Sequence, residues 1–229
     1  DAAIKLDAAT TTLKANITTE DQNITVGRNV FLATDVLLST GAGAGDITLS
    51  GPVDGNYILS LDAGTGNIQF NGAVGSSSPV SGIKINNAQD VKTDFTIAAA
   101  GNIDIIKASG NVSFNNSITT TNNGNVTISN GQNLTLKGDN KLDGSFSQKD
   151  AQNVFIAGSI TTSNDNITIN SPVKLLGNTV LDAGTATITV NQGLAALSNS
   201  LTLTADGIEL KGTISGNSTL VLQPSTPSQ

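Results

Sequence analysis

The stretch Asn23-Ile24-Thr25-Val26 contains the pattern that decides the fold: Asn or Asp, an aliphatic residue, Thr or Ser, then an aliphatic residue or Phe. Alternation with a period of two places the aliphatic side chains on one face of a strand and the hydroxyl on the other. The pattern recurs in five further segments: Asp46-Ile47-Thr48-Leu49, Asn111-Val112-Ser113-Phe114, Asn125-Val126-Thr127-Ile128, Asn133-Leu134-Thr135-Leu136 and Asn166-Ile167-Thr168-Ile169. Each unit predicts a very short strand with one buried face, entered through a turn-forming residue.

Clusters of Gly, Asn, Asp and Ser separate these strands, as in residues 41–45, 64–67, 122–125 and 163–166. Such residues adopt the positive φ angles that sharp corners require. No segment shows a convincing amphipathic helix, and the only ambiguous stretch is Asn191 to Leu197. We therefore expect less than about a tenth of the chain to be helical.

A longer repeat is visible when the sequence is compared with itself. Residues 16–42 align without gaps onto residues 159–185, with about ten identities in 27 positions. With small gaps the match continues, which gives two copies of a longer super-repeat, near 16–74 and 159–214. The super-repeat is about 140 residues long, and repeats of this kind predict a stacked array in which each unit packs on the next.

The strand spacing predicts a right-handed parallel β-helix, an all-β solenoid with coils of roughly 20–25 residues. Stacking equivalent motifs makes ladders of Asn and of Ile or Val about 4.8 Å apart. An antiparallel sandwich is the structural alternative. We assign residues 1–223 to the solenoid, as part of a longer array, and residues 224–229 to a linker or disordered tail. Four Phe residues are expected to fill wider corners inside the coils: Phe70, Phe95, Phe114 and Phe146.

Composition narrows the classes of function. Only 13% of the 229 residues are charged, and the net charge is −7. The basic residues occur singly along the chain, which argues against nucleic acid or an anionic membrane as partner. No Cys is present, so disulfides and thiolate metal sites are excluded. A mean hydropathy of +0.02, with apolar residues recurring throughout, argues against disorder.

Several segments are similar to the repeats of very large filamentous-haemagglutinin-like surface proteins of Gram-negative bacteria. They are residues 142–148 with 159–167, and residues 61–68 with 70–74. The resemblance implies a right-handed parallel β-helix that is exported to the cell surface, often by two-partner secretion. It further implies an adhesin, or a spacer that holds an adhesive tip. The resemblance carries no catalytic residues with it.

Two chemical alternatives concern specific side chains. Polysaccharide lyases and hydrolases also use β-helices, and they need clustered carboxylates, or Lys and Arg with a metal, on neighbouring coils. The candidate groups are Asp139, Lys141 and Asp143, and Asp90, Lys92 and Asp94. Calcium is the other alternative, with oxygen ligands from Glu20-Asp21 and Asn164-Asp165 at equivalent corners of the two copies. We interpret all of these as solvated turns and predict no catalytic, cofactor or metal residues.

The sequence thus predicts a non-catalytic rod segment of a secreted or cell-surface bacterial adhesin or fibre. The expected partners are neighbouring repeats, or copies of itself placed end to end, and a host or neighbouring-cell surface. A self-associating extracellular filament or coat remains an alternative, and so does a β-helix that binds or cleaves polysaccharide. Tyr57 is a lone ring, and no apolar or aromatic patch that would favour adhesion is evident from the sequence.

Overall fold

The computed structural model describes residues 2–226, and all regular structure in that range is β-strand. The strands are β1 (Ile4–Leu6), β2 (Thr11–Leu13), β3 (Ile17–Thr18), β4 (Ile24–Val26), β5 (Val30–Leu32), β6 (Val36–Ser39), β7 (Ile47–Leu49), β8 (Val53–Asp54), β9 (Ile58–Asp62), β10 (Ile68–Phe70), β11 (Gly82–Asn87), β12 (Val91–Thr93), β13 (Ile97–Ala99), β14 (Ile103–Ala108), β15 (Val112–Phe114), β16 (Ile118–Thr120), β17 (Val126–Asn130), β18 (Asn133–Leu142), β19 (Phe146–Gln148), β20 (Asn153–Thr162), β21 (Ile167–Ile169), β22 (Val173–Val190), β23 (Leu194–Leu197), β24 (Leu201–Leu210), β25 (Ile214–Gly216) and β26 (Leu220–Gln223). The predicted all-β class is confirmed, and the ambiguous stretch Asn191 to Leu197 contains strand β23.

Every strand pairing in the described range is parallel, and the pairs form three stacks that we name A, B and C. Stack A is the series Ile4, Ile24, Ile47, Ile68, Val91, Val112, Leu134, Val154, Val173, Leu194 and Ile214. Stack B begins with Thr11, Val30, Val53, Val74, Ile97 and Ile118. The next residue, Thr119, pairs with Lys141, and the stack continues along Thr161, Asp182, Thr204 and Gln223. Stack C is the series Ile17, Leu38, Leu61, Ile85, Ile105, Ile128, Gln148, Ile169, Val190 and Leu210.

The chain visits the stacks in the order A, B, C and then starts the next coil. The coils differ in length: the coil from Val154 to Val173 in stack A is shorter than the coil from Ile24 to Ile47. This winding makes about ten coils, and the molecule is a parallel β-solenoid, as the recurring strand motif predicts. The differences in coil length are taken up in the corners and in register shifts within five of the strand pairs, such as the one between Ile156 and Gly158.

Alternating side chains fill the interior of the coils. In β4, Ile24 and Val26 are fully buried and Thr25 points outward, half-buried. Three of the four Phe residues expected inside are also fully buried: Phe70, Phe114 and Phe146. The prediction for Phe95 is wrong, because its side chain is 44% exposed at the corner between β12 and β13. At that corner Thr93 occupies the inward position, and its Oγ1 accepts a hydrogen bond from the Phe95 amide.

Glycine is required where corners of successive coils meet. A Cβ on Gly66 would clash with the carbonyl oxygen of Gly45, one coil below. No side chain of the lower coil can move to relieve that contact, because the obstacle is backbone. The Gly-rich clusters that the sequence shows at residues 41–45 and 64–67 therefore permit close stacking at this corner as well as tight turning.

Ten polar side chains are also buried in the described coils. The strand pattern does not predict two of the larger ones, Gln148 and Asn140. Gln148 is fully buried in stack C; its Oε1 accepts hydrogen bonds from the Asn170 and Ser171 amides, and its Nε2 donates to Ser171 Oγ. Asn140 is buried where stack B passes from β16 to β18, and its Oδ1 accepts from the Ile118 amide. Each of these two side chains forms hydrogen bonds with the coil before or after its own, and it therefore has hydrogen-bond partners although it is buried.

Removal of a single stacked side chain tests the solenoid interior. We expect Leu49→Ala to destabilise the protein by about 2–5 kcal/mol, since the cavity forms between coils that cannot collapse independently. Thr48→Ala, on the outer face of the same strand, should cost less than about 1 kcal/mol. Urea denaturation followed by circular dichroism measures both values. Equal effects of the two substitutions would contradict the assignment of the faces.

Candidate functional site

A ladder of Asn and Asp side chains runs along the corner that enters stack A, as predicted from the stacking of equivalent motifs. Among the first six residues of the ladder, the side-chain Oδ1 of each residue accepts a hydrogen bond from the backbone amide of the next residue, one coil above. The first of these bonds, from Asp46 N to Asn23 Oδ1, is 2.8 Å long. The last step is a side-chain bond from Asn153 Nδ2 to Asn133 Oδ1. The members of this Asx ladder are Asn23, Asp46, Asn67, Asp90, Asn111, Asn133 and Asn153.

The order of charged and neutral residues along the Asx ladder avoids repulsion between carboxylates. The two carboxylates, Asp46 and Asp90, are separated by the neutral Asn67. Asn67 donates to Asp46 through both its backbone amide, at 2.7 Å, and its Nδ2, at 3.0 Å. Because like charges one coil apart would repel, an amide at the middle position removes a destabilising contact and adds a donor.

The first predicted carboxylate–lysine group lies on β18 and the corner after it. Asp139 and Lys141 are exposed on the outer face, and Asp143 is half-buried. Asp139 Oδ1 accepts a hydrogen bond from Ser159 Oγ, and Asp143 Oδ2 accepts one from the Asn123 amide. Both carboxylates thus bond the neighbouring coils, and the geometry assigns them to inter-coil contacts.

The second group, at β12, is divided in the same way. Asp90 belongs to the Asx ladder and accepts from the Asn111 amide. Lys92 and Asp94 form an exposed ion pair at 3.2 Å, and Asn115 Nδ2 donates to Asp94 at 2.9 Å. The hydrogen bond from Lys92, followed by that from Asn115, lowers the pKa of Asp94 below its ordinary value. A carboxyl group held ionised in this way is unsuited to act as a general acid near neutral pH.

The two acidic corners considered for calcium have the same local structure. Asp21 and Asn164 both have positive φ angles, 60° and 65°. Each side chain accepts a hydrogen bond from a backbone amide one coil above: Gly43 for Asp21 and Thr185 for Asn164. Glu20 is exposed beside the first corner. Within residues 2–226, no group of three or more Asp, Glu, His or Cys side chains is arranged to hold a metal ion.

Two shallow grooves run along corners of the solenoid. The first, of about 390 Å³, carries Asp62 and Lys107, and the second, of about 350 Å³, carries Lys141 and Asp143. The first is lined by Ser39, Gly41, Ala42, Asp62, Gly64, Thr65, Asn87 and Lys107, and the second by Thr119, Thr120, Thr121, Lys141, Leu142, Asp143, Thr161, Thr162 and Ser163. The walls offer hydroxyls, one cation and one anion each, and neither set of lining residues includes an aromatic ring.

Outward-facing aromatic rings are few and lie on different coils. Phe31 and Tyr57 are 47% and 40% exposed, on neighbouring coils near one end. Phe95 lies at a corner further along, and Phe155 on stack A has Lys174 5.8 Å from its ring centroid, a cation–π contact. Strand alternation in the sequence identifies Phe31 and Phe155 as outward, since each is the middle residue of an aliphatic triplet.

Asp206 is a carboxylate with hydrogen-bonded partners that the strand motif does not predict. It accepts hydrogen bonds from the Ser225 amide and from the Thr226 amide and hydroxyl. The Thr226 hydroxyl, followed by the two amides, lowers the pKa of Asp206 below its ordinary value. These bonds fix the segment assigned to a linker, 224–229, at least as far as Thr226; residues 227–229 lie outside the described part. The Asp206-Gly207 dipeptide, a turn pattern, was the only clue in the sequence.

Comparisons with protein-family models, curated proteins and solved structures find no match to this chain. In the described range there is also no helix long and apolar enough to cross a membrane. What the molecule does is therefore argued from its own fold and surfaces. The molecule is a β-solenoid whose polar side chains mainly form hydrogen bonds between neighbouring coils.

The Asx ladder is tested by Asn67→Asp, which places three carboxylates on consecutive coils. We expect a lower melting temperature in low salt and partial recovery in high salt, because salt screens exposed charges. The control is Asn133→Asp, which also removes an Nδ2 donor but has Asn111 and Asn153 as neighbours. Differential scanning calorimetry at two ionic strengths compares the variants. A loss without salt dependence in Asn67→Asp would refute the electrostatic account.

The Asp206 contact predicts a local effect of pH. Since the folded-state pKa is lowered, the contact is fully present above the ordinary Asp pKa and is lost as pH falls through the lowered value. Acidification should therefore release the Ser225 and Thr226 amides while the coils stay folded. Amide chemical shifts in a ¹⁵N spectrum measure this release. Asp206→Asn should shift the same two amides at neutral pH and leave those of stack A unchanged.

Proposed function

We propose that this chain is a non-catalytic rod segment of a secreted or cell-surface bacterial fibre, in which it spaces the parts of an adhesin. The observation that carries the proposal is the uninterrupted register of stack A, from Ile4 to Ile214. Eleven strands at about 4.8 Å extend for roughly 50 Å without a break in pairing. The export and the surface location are supported by the family resemblance.

The outer faces support a spacing role better than an adhesive one for this segment. Stack C presents a row of hydroxyl side chains on four consecutive coils: Thr127, Ser147, Thr168 and Thr189. Such rows keep the surface hydrated with little charge. The exposed rings of Phe31, Tyr57 and Phe95 lie on three different coils, whereas a protein-binding surface is usually marked by a contiguous apolar patch.

The two ends of the described solenoid support end-to-end contact with neighbouring repeats or further copies. Leu220 and Leu222 point inward on the last coil but are 46% and 52% exposed. At the other end Ile4, Leu6 and Ile17 are only half-buried. Each end also presents strand edges with free hydrogen-bonding groups, which readily pair with another strand. One further coil would cover both the apolar side chains and the edge.

The two alternatives each have one supporting observation. Self-association into a filament or coat is favoured by the same uncovered ends. Polysaccharide binding is favoured by the two hydroxyl-lined grooves, where Lys107 and Asp62, or Lys141 and Asp143, lie beside a polar wall. Nucleic acid and membrane insertion are not part of the proposal, since the net charge is −7 and basic residues are dispersed.

End-to-end contact is tested with a charge on the uncovered interior. We expect the chain at high concentration to form single-file rods with lengths in steps of about 50 Å. Leu222→Lys should abolish them, because stacking would bury an unpaired ammonium group. Val221→Lys, on the outer face of the same strand, should leave them intact. Sedimentation velocity and negative-stain microscopy report both variants; equal loss in both, or chains that stay single at every concentration, would contradict the proposal.

A further inference from the structure

The two segments that the sequence aligns, 16–42 and 159–185, lie on different stacks. Ile17 belongs to stack C, whereas its counterpart Ile160 lies in stack B, beside Thr161. Each later pair shifts by the same step. The pairs are Ile24 in A with Ile167 in C, Val30 in B with Val173 in A, and Leu38 in C with Leu181 in B.

Despite this shift, the corner after the first strand is built in the same way in both segments. Thr19 Oγ1 donates to the Gln22 carbonyl, and Thr162 Oγ1 donates to the Asp165 carbonyl. Both threonines are buried. The next residue with positive φ is Asp21 in one segment and Asn164 in the other, and each caps a backbone amide one coil above.

Further along, the matched positions keep making the same hydrogen bonds. In the first segment the acceptors are Asn23, Asp35 and Ser39, and in the second they are Asn166, Asn178 and Asp182. The Asp46 amide donates to Asn23, as the Thr187 amide donates to Asn166. The Ile58 amide donates to Asp35, as the Ser200 amide donates to Asn178. The Gly41 amide donates to Ser39, as the Gly184 amide donates to Asp182. Gly41 and Gly184 both have positive φ, 83° and 56°.

The offset between the segments can be counted along the stacks. From Ile24, six steps of stack A lead to Val154, and the chain then passes through stack B before it reaches Ile167 in stack C. The offset is therefore six coils and two of the three strands of a seventh. At about 4.8 Å a coil this is a rise of roughly 32 Å.

We propose that the repeat unit of this protein is six and two-thirds coils, so that each copy displays equivalent surfaces one face further around the rod. The physical basis is that strands in all three stacks have the same alternation, with mostly aliphatic side chains pointing inward on either side of one that points outward. The corners are set by bonds to the coil directly above. A segment that supplies this strand alternation and these corner hydrogen bonds is stable on any of the three faces.

This arrangement decides how repeated surface features meet a partner. The matched corners Thr19–Asn23 and Thr162–Asn166 face different directions, so repeat-equivalent corners form no single continuous face. A partner that recognises this corner must approach the rod from a different side at each copy. The repeat geometry thus fits partners that surround the rod and excludes one-sided adsorption to a flat surface through these corners. The inference does not rest on the proposed spacing role.

A segment exchange in the full chain tests the proposal. One variant carries the sequence of residues 160–185 in place of residues 17–42. Its four strands lie in stacks B, C, A and B at their original position. In the variant they have to form strands in stacks C, A, B and C, in that order. The control carries residues 169–194 in the same place, an equally long segment that also begins in stack C. We expect the first variant to keep its melting temperature within about 5 °C and the control to lose far more. Equal losses would overturn the proposal.

Spin labels on introduced cysteines give a second measurement, since the chain has no Cys of its own. Labels at Phe155 and Lys174, neighbours on the outer face of stack A, should show strong dipolar broadening at about 5 Å. Labels at Phe155 and Thr168 should show little, because Thr168, the counterpart of Thr25, faces outward from stack C. Equal broadening in the two pairs would place Thr168 on the face of Thr25 and refute the rotation.

Discussion

Backbone hydrogen bonds between successive coils are the interaction on which the rest of this structure depends. The Ile24 amide donates to the Asp46 carbonyl one coil above, and the Ser50 amide donates back to the Val26 carbonyl, both at 2.8 Å. Strands as short as these have few partners inside their own coil. Stability therefore arises only from stacking, and each coil is folded because its neighbours are. This explains why the interior is continuous through the described coils.

Side chains then fix which residue of one coil faces which residue of the next. The Asx ladder does so at the entrance of stack A, where its Oδ1 atoms bind the amides above. Inside, Gln148 and Asn140 do so in places where an aliphatic side chain would pack equally well in any register. A buried polar group that can be satisfied in only one alignment opposes slippage of the strands. Of the groups that resemble catalytic or metal-binding residues in the sequence, Asp90 belongs to the Asx ladder, and Asp139, Asp143, Asp21 and Asn164 bond neighbouring coils elsewhere.

The functional interpretation follows from what remains on the outside. The sides present hydroxyl rows, single exposed rings and aliphatic side chains, and shallow grooves, whereas the end coils of the described range expose inward-facing apolar side chains. On these grounds we propose that the rod joins to other coils at its ends. The repeated corners lie on a different face of the rod in each copy. Contacts through those corners are therefore not confined to one side of the rod.

The sequence by itself determined the strand motif, the inward and outward faces and the Asx ladder, because alternation and turn chemistry are local. Phe70 and Phe114 could be placed in the interior for that reason, and Phe95 could not, since its position depends on the corner that Thr93 closes. Only the tertiary structure decided which strands stack. Coils differ in length, as those that begin at Val154 and at Ile24 do, and a small difference in corner length changes the face on which a strand lies. The rotation between the two copies was invisible for the same reason: it depends on the sum of many corner lengths, and no single segment records that sum.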